Sequence, residues 1–351
     1  MTLRHPLLAL LVVLGILVSG CGNSTSGSDA TTSPSAPEVT LTVYSAGGLG
    51  AWYQSRFEDF TKETGIKVDL VEAGSGEVVS RVQDPESTAD LLVVLPPFIQ
   101  KAARAGLLQP SDADVTGITS QVVGPAALYV PIVNNALGFI ANPAADPPPV
   151  TWDDLLNPAL KGKLQYSTPG EAGDGTAMLL LLQHLMGNQA ALDYLVRLQS
   201  NNVGPSPSTS ALQPKVSSGE LLVANGDVQM NLASMKNDNS TFSIFFPAMP
   251  DGSRTTISIP YVAGVTLNAP HPAEAKKLLA YLISEAVQRT VATEAFGIPV
   301  LDVVARETAG DTGEMTPTGL LNDVTVWVPE WTAVLADIDA DVAAYRGAVG
   351  R

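Results

Sequence analysis

The sequence predicts an α/β protein with two lobes, each built on a mostly parallel sheet that is flanked by helices. Strands rich in β-branched residues alternate with amphipathic helices from residue 39 onward, a pattern typical of such sheets. An extended apolar run, 128–141, leads away from the first elements, and the strand-like segment 256–265 leads back to them. We therefore predict a two-strand hinge between a discontinuous first lobe, 39–130 plus 257–351, and a continuous second lobe, 131–256. Lobes joined in this way can close on a ligand.

The first lobe opens with repeated units of strand, loop and helix. Alternating and β-branched residues predict three strands, at Val39–Ala46, Ile66–Ala73 and Leu91–Leu95. Amphipathic helices are predicted between them, one that ends at Gly65 and one at Glu77–Val82. Ligands of parallel sheets bind beyond the carboxyl ends of the strands, which are here the loops at Ser45, Gly74 and Pro96.

The second lobe contains a strand, a Gly-rich loop and a buried helix in succession. The strand is predicted at Lys163–Tyr166, and the long apolar run that opens at Thr176 predicts the helix. Asp174 stands where the N-cap of that helix is expected. The first amides of a helix have no partner within it and carry a partial positive charge, so this layout favours anion binding. An ordinary capped connection is the alternative.

Further elements complete both lobes. In the second lobe we predict a helix at Ala190–Ser200 and a strand at Leu221–Ala224, followed by a turn formed by Asn225, Gly226 and Asp227. In the first lobe we predict amphipathic helices at His271–Ser284, at Glu285–Thr293 and after Trp331.

Composition and charge restrict the class of partner. With 351 residues and 45% hydrophobic content, the chain is long enough for two domains with real cores. Its formal net charge of −16 opposes the binding of nucleic acid. An anion can still bind such a protein, but only through local backbone amides and hydroxyl groups.

The N-terminus predicts export and a lipid anchor. Residues 1–20 contain a basic start and an apolar run, 7–18, that is short for a membrane span. The string VSGC that ends at Cys21 is similar to a bacterial lipobox, in which the cysteine carries the lipid after cleavage. Residues 21–38 then form a lipidated, flexible tether on the outer face of the membrane. An ordinary secretory signal with an unrelated cysteine is the alternative.

Several segments resemble the 2-aminoethylphosphonate-binding proteins, solute-binding components of ABC importers with the periplasmic-binding-protein type II fold. The strings are VYSA (43–46), WYQSRFEDFTKETGI (52–66), PPFIQKAA (96–103), KLQYSTPGEAGDGTA (163–177), LQSNNVGPSPST (198–209), VANGDVQMNLA (223–233) and IPYVAG (259–264). The resemblance implies capture of a small zwitterion, with an ammonium and a phosphonate on a two-carbon linker, and its delivery to permease subunits. From the use of this fold as a clamp we expect a monomer, and no cofactor is expected.

The two charged ends of such a ligand need different groups. A phosphonate needs donors, and the candidates are the hydroxyls and backbone of the strand-end loops: Ser45, Ala46, Ser167, Thr168, Gly175 and Thr176, with Gly74–Gly76 as another possible anion site. An ammonium needs carboxylates, carbonyls or an aromatic face, and the candidates are Asp227, Tyr261, Glu77 and Trp52. Each has a structural alternative, such as a loop serine, a turn aspartate, a packed hinge tyrosine, a first-turn helix acid or a core tryptophan.

Other functions stay open at this point. Ferric-ion binders of this fold typically use paired tyrosines, which this sequence lacks, and polyamine binders use several acids around aromatic residues. An exported hydrolase is the alternative from another class. The sequence has no GxSxG, HExxH or Walker string, and its histidines are His5, His184 and His271. We therefore expect a binding protein, without a metal, rather than an enzyme.

Overall fold

The computed structural model describes residues 38–120, 122–311 and 313–350. The predicted signal peptide, Cys21 and almost all of the predicted tether lie outside these residues. In the described part of the chain, no helix is both long enough and apolar enough to cross a lipid bilayer.

Strands form where β-branched and other apolar residues alternate or run together. They are β1 (Thr40–Ala46), β2 (Lys67–Ala73), β3 (Leu91–Val94), β4 (Leu108–Gln109), β5 (Val130–Val133), β6 (Leu137–Ala141), β7 (Leu164–Gln165), β8 (Val223–Asp227), β9 (Ser243–Phe245), β10 (Thr255–Ile257), β11 (Tyr261–Thr266) and β12 (Thr325–Trp327). The run predicted as one extended segment thus divides into β5 and β6.

Helices follow most of the predicted amphipathic segments. They are α1 (Gly50–Thr64), α2 (Ser75–Val82), α3 (Phe98–Arg104), α4 (Gly173–Met186), α5 (Asn188–Leu198), α6 (Leu212–Ser217), α7 (Val228–Asn237), α8 (Pro272–Leu282), α9 (Glu285–Thr290), α10 (Asp302–Thr308), α11 (Pro317–Leu320) and α12 (Trp331–Ala348). As predicted, α1 ends at Gly65, which adopts the left-handed conformation (φ 75°) while its amide donates to the Thr61 carbonyl.

The first sheet has the strand order β2-β1-β3-β11-β4, and β5 pairs with β11. β1 pairs in parallel with β2 and with β3. β11 is antiparallel to β3, β4 and β5. The strand–loop–helix repeat therefore predicts the parallel half correctly, and the prediction of a mostly parallel sheet is wrong for the rest. β11 follows β10, which pairs in parallel with β12 in a separate two-stranded sheet. No crossover helix lies between β10 and β11, and this route permits antiparallel pairing.

The second sheet has the order β7-β8-β6-β9. Only its β7–β8 pair is parallel, whereas β6 is antiparallel to both β8 and β9. A mostly parallel second sheet is thus also a wrong prediction. Helices still flank both sheets, so the mixed α/β class itself is confirmed.

Two chain segments connect the sheets. Residues 134–136 follow β5, and residues 258–259 precede β11. These segments run antiparallel, because Ala136 bridges Ser258 and the Ile259 amide donates to the Asn135 carbonyl at 2.9 Å. α12 contacts both α3 and α5. Its Asp339 forms an ion pair with Lys101 of α3 at 2.6 Å, and the hydroxyl of its Tyr345 lies 3.1 Å from that of Tyr166, which follows β7. The lobe boundaries themselves stay a prediction.

Two element boundaries differ from prediction near the Gly-rich loop. α4 begins at Gly173 rather than Thr176, and Ala172 rather than Asp174 is its N-cap residue. β8 continues to Asp227, which then caps α7, so residues 225–227 are not a turn. In both places tertiary packing extends a regular element through residues whose local preference is for turns.

Candidate ligand-binding site

A small cavity lies where the carboxyl ends of β1, β2 and β3 meet the start of α4. Its lining combines strand-end residues of the first sheet with loop and helix residues of the second: Ala46, Gly47, Ala73, Gly74, Ser75, Leu95, Ala172, Gly173, Asp174, Ser208, Thr209, Ser210 and Met230. This is where the predicted sheet places a ligand.

Two helices begin at this cavity from opposite sides. Gly74 and Ser75 form the start of α2, and Gly173 and Asp174 form the start of α4. The first amides of each helix have no acceptor inside the helix, and each helix dipole adds partial positive charge at its start. The cavity can therefore attract an anion without any lysine or arginine on its lining.

Hydroxyl groups add polar contacts on the α4 side. The Ser208 and Ser210 hydroxyls lie 2.9 Å apart, and the Thr209 hydroxyl donates to the Ser167 oxygen at 3.0 Å. Ser208, Thr209 and Ser210 are not among the ligands predicted from sequence, although the run of serine, threonine and proline at 206–210 is a visible signal.

The predicted phosphonate ligands of the second lobe lie behind this lining. The Ser167 hydroxyl accepts from the Thr209 hydroxyl and, at 3.1 Å, from the side-chain amide of Asn225. The Thr168 hydroxyl accepts from the Ser206 amide at 3.0 Å. The Thr176 hydroxyl accepts from the Gly170 amide at 2.9 Å and donates to the Ala172 carbonyl at 2.8 Å. These three hydroxyls therefore hold the loops that form the cavity wall.

Gly175, Ser45 and Ala46 are equally constrained. A Cβ on Gly175 would overlap the Ser167 carbonyl, so glycine is required by the close approach of the backbone. The Ser45 hydroxyl is fully buried, donates to the Ala46 carbonyl at 2.8 Å and lies 3.2 Å from the Tyr53 hydroxyl. Of the three, only Ala46 lines the cavity.

Asp227 and Tyr261 meet in the interior beside the cavity, and both are fully buried. The Asp227 carboxylate accepts from the Met230 amide at 2.6 Å and from the Tyr261 hydroxyl at 3.3 Å. Burial raises the pKa of Asp227 to about 6, although these hydrogen bonds oppose the shift. Burial and the neighbouring Asp227 and Asp174 charges raise the pKa of Tyr261. Neither residue is among those that line the cavity.

Asp174, predicted as a helix cap, lies on the cavity wall instead. Its side chain is 2% exposed, and its Oδ1 atom has no hydrogen-bond partner among the described residues. Burial, followed by the charge of Asp227, raises the pKa of Asp174 well above its ordinary value. A buried acid without a full set of partners is costly, which indicates a place where a ligand donor can bind.

Two predicted ammonium ligands lie elsewhere. Glu77 is exposed on α2 and forms an ion pair with Arg81 at 2.5 Å. Trp52 is in the core, where its indole Nε1 donates to the Thr290 hydroxyl at 2.9 Å and its ring is tilted against Tyr53. Their structural alternatives, a helix acid and a core tryptophan, describe them better. No three His, Cys, Asp or Glu side chains group as metal ligands within the described residues.

The walls of the cavity touch one another. The Gly76 amide donates to the Glu171 carbonyl at 2.9 Å, and the Gln229 side chain donates to the Gly48 carbonyl at 2.9 Å. The space open to the centre of a water molecule is about 10 Å³, enough for about one water. A larger ligand can enter only if the two walls separate.

Comparison with known proteins agrees with this architecture. The sequence profile of the bacterial extracellular solute-binding proteins matches residues 46–289. The chain is 43% identical over 321 residues, 89% of this chain and 93% of the relative, to a Salmonella typhimurium protein named "Putative 2-aminoethylphosphonate-binding periplasmic protein".

Solved structures show the same fold. A periplasmic thiamin-binding protein superposes with a TM-score of 0.73 at 18% identity, covering 90% of this chain and 97% of the other. Iron-bound HitA from Pseudomonas aeruginosa superposes with a TM-score of 0.68 at 20% identity, covering 88% and 99%. The predicted periplasmic-binding-protein type II fold is therefore confirmed. By the extent of the profile match and the identity to the Salmonella relative, the chain belongs to the bacterial extracellular solute-binding proteins.

Proposed function

We propose that this protein captures 2-aminoethylphosphonate, or a close organophosphonate, and passes it to the permease of an ABC importer. One observation carries the proposal: a single cavity combines two helix N-termini with a buried, incompletely bonded acid. This pairing suits a small zwitterion better than a simple anion or a simple cation. The Salmonella relative, whose name specifies this ligand, adds support.

The phosphonate would bind at the starts of α2 and α4. Its oxygens would accept from the first amides of these helices and from the hydroxyls of Ser208 and Ser210. Ala46 would lie against it from β1. Ser45, Ser167, Thr168, Gly175 and Thr176, assigned to the phosphonate from sequence, would act by holding the walls in place.

The ammonium would bind at Asp174, with Asp227 and Tyr261 behind it. Asp227 and Tyr261, which were predicted from sequence to bind the ammonium, would thus support Asp174 from behind. A charge-assisted hydrogen bond to an ammonium would complete the bonding of Asp174 Oδ1, which otherwise lacks a partner in the described chain.

Lobe closure and membrane attachment are parts of the same proposal. The lobes 39–130 plus 257–351 and 131–256 would close on the ligand, and the closed monomer would dock on the permease. Lipid on Cys21 would hold the protein at the outer face of the membrane. Release of a Cys21→Ser variant from the membrane fraction tests the anchor, and its retention there would contradict it.

Calorimetric titration of the cell-processed protein, purified in detergent, tests the ligand. The ligands are 2-aminoethylphosphonate, methylphosphonate, phosphate, putrescine and ferric citrate. Loss of the ammonium contact should weaken binding by about 1.5–3 kcal/mol, or roughly 10- to 150-fold, for methylphosphonate relative to 2-aminoethylphosphonate. Equal affinity for the two would remove the ammonium site. Binding of only putrescine or iron would overturn the ligand assignment and leave the family membership unchanged.

A further inference from the structure

Asp174 and Asp227 form a buried pair of acids without a cationic partner. Asp174 comes from the first turn of α4 and Asp227 from the end of β8, and the two are 2% and 0% exposed. The titratable groups that act on the pair are each other, Tyr261 from β11 and, through Tyr261, Tyr53 from α1. No lysine, arginine or histidine is among the groups that shift either carboxyl. Two adjacent buried acids of this kind do not both ionise readily.

The two carboxyls differ in how well their charge is stabilised. Asp227 accepts the Met230 amide at 2.6 Å and the Tyr261 hydroxyl at 3.3 Å, and both bonds favour its ionised form. Asp174 Oδ1 is buried without a partner among the described residues, and the side chain lines the cavity. Burial and the charge of Asp227 raise the pKa of Asp174 more than its hydrogen bonds with Thr209 and with its own backbone lower it. Asp174 is therefore the member of the pair that favours the neutral form.

We propose that Asp174 carries a proton while the cavity is empty and that the ammonium of the ligand displaces it. The neutral carboxylic acid and the alkylammonium become a carboxylate–ammonium pair, and one proton passes to solution. No bond other than the O–H bond breaks, and nothing is oxidised or reduced. This inference rests on the proposed function, since it requires a ligand with a cationic amine.

Displacement of a proton makes the site selective for amines. A phosphonate without an amine leaves Asp174 neutral, so binding releases no proton from the protein. An amine ligand gains an ion pair in a buried setting and, at acidic pH, competes with the proton for the same oxygen. Its affinity for the wild type relative to its affinity for Asp174→Asn should therefore rise with pH while its amine stays protonated.

Calorimetry at neutral pH, in buffers of different ionisation enthalpy, counts the protons released. For each ligand, the protons lost by the phosphonate itself are the same with wild type and with Asp174→Asn, so the comparison is made between the two proteins. We expect 2-aminoethylphosphonate to release about one proton more on binding the wild-type protein than on binding Asp174→Asn. Methylphosphonate, which has no amine, should release the same number of protons with both proteins. Asp323→Asn, which removes an exposed acid, should behave as the wild type.

A second measurement examines the empty protein. Infrared difference spectroscopy of wild type against Asp174→Asn should show the C=O band of a protonated carboxyl at neutral pH in the wild type alone. Absence of this band would overturn the inference. The inference would also be overturned if 2-aminoethylphosphonate bound tightly without releasing an extra proton, or if Asp174→Asn released as many protons as the wild type. The proposed function would survive both of these results. No binding of 2-aminoethylphosphonate at all would overturn the proposed function and the displacement step together, whatever the infrared result.

Discussion

The Asp227 carboxylate is both a helix cap and a buried acid. It caps α7 through the Met230 amide and also accepts from Tyr261, yet it is fully removed from solvent. The cap stabilises the start of α7, whereas burial of the charge costs free energy that these bonds only partly offset. The residue is thus a compromise between local structure and the electrostatics of the cavity region.

The pH dependence of stability should reveal this cost. The pKa of Asp227 is raised from 3.8 to about 6, so between these values the folded state binds the proton more tightly than the unfolded state. The contribution of Asp227 to the free energy of unfolding therefore falls as pH rises through that window, by roughly 3 kcal/mol in total. Asn also caps helices well, but it cannot ionise. The free energy of unfolding of Asp227→Asn, relative to that of the wild type, should therefore increase by about this amount as the pH rises through the window.

Urea unfolding at a series of pH values, from below the ordinary carboxyl pKa to neutral, measures that difference. Asp323→Asn serves as the control, since it removes an exposed acid and should follow the wild-type curve. Parallel curves for Asp227→Asn and wild type would show that the Asp227 carboxyl is not destabilised by burial.

At the scale of elements, the start of α2 belongs to one of the two cavity walls that touch each other. The Gly76 amide bonds to the Glu171 carbonyl, and a Cβ on Gly74 would overlap the Pro207 carbonyl. Gly74 itself has φ −66° and ψ 150°, values that alanine also adopts readily. Glycine is therefore needed here for the close approach of two loops and not for its backbone conformation.

Gly74→Ala should hinder closure without disturbing α2. We expect at least about tenfold weaker binding of 2-aminoethylphosphonate, equivalent to about 1.4 kcal/mol, because the added methyl group holds the walls apart. Calorimetric titration gives the affinity, and thermal unfolding of the empty protein checks the fold. Gly310→Ala is the matched control, since its Cβ would meet open space. Wild-type affinity in Gly74→Ala would mean that these loops do not limit closure.

For the whole molecule, the charge of −16 and the local site act in opposite directions on an anion. Long-range attraction cannot draw a phosphonate to the cavity, so the oriented amides of α2 and α4 must supply the favourable field at short range. A site of this kind needs an enclosed, dry setting to be effective. The contact between the walls supplies that setting, and it also requires that they separate before a ligand enters.

Small-angle X-ray scattering should detect this movement. We expect the radius of gyration of the cell-processed protein to decrease when 2-aminoethylphosphonate is added, because the ligand shifts the population toward the closed form. Gly74→Ala should show a smaller decrease at saturating ligand. An unchanged radius in the wild type with tightly bound ligand would contradict movement of the predicted lobes.

Much of this architecture follows from local sequence. Alternation predicts β1, β2 and β3, glycine at 65 predicts the end of α1, and the Gly-rich strings lie at strand ends, as the structure confirms. These features depend on neighbours within a few residues, and such short-range preferences are visible in one chain. The quoted strings also identify the family, which the comparisons confirm.

Only the tertiary structure decides which side chains reach the cavity. Asp174 and Asp227 both stand beside glycines in polar strings, yet Asp174 lies on the cavity wall and Asp227 does not. Ser167 and Ser210 likewise look alike in sequence, but only Ser210 lines the cavity. Ser167 lies in the interior, where Asn225 and Thr209 donate hydrogen bonds to its hydroxyl. Side-chain direction in a loop depends on partners far along the chain, and local periodicity carries no information about them. The antiparallel entry of β11 has the same origin, because the chain leaves one sheet and returns to it only after building the other.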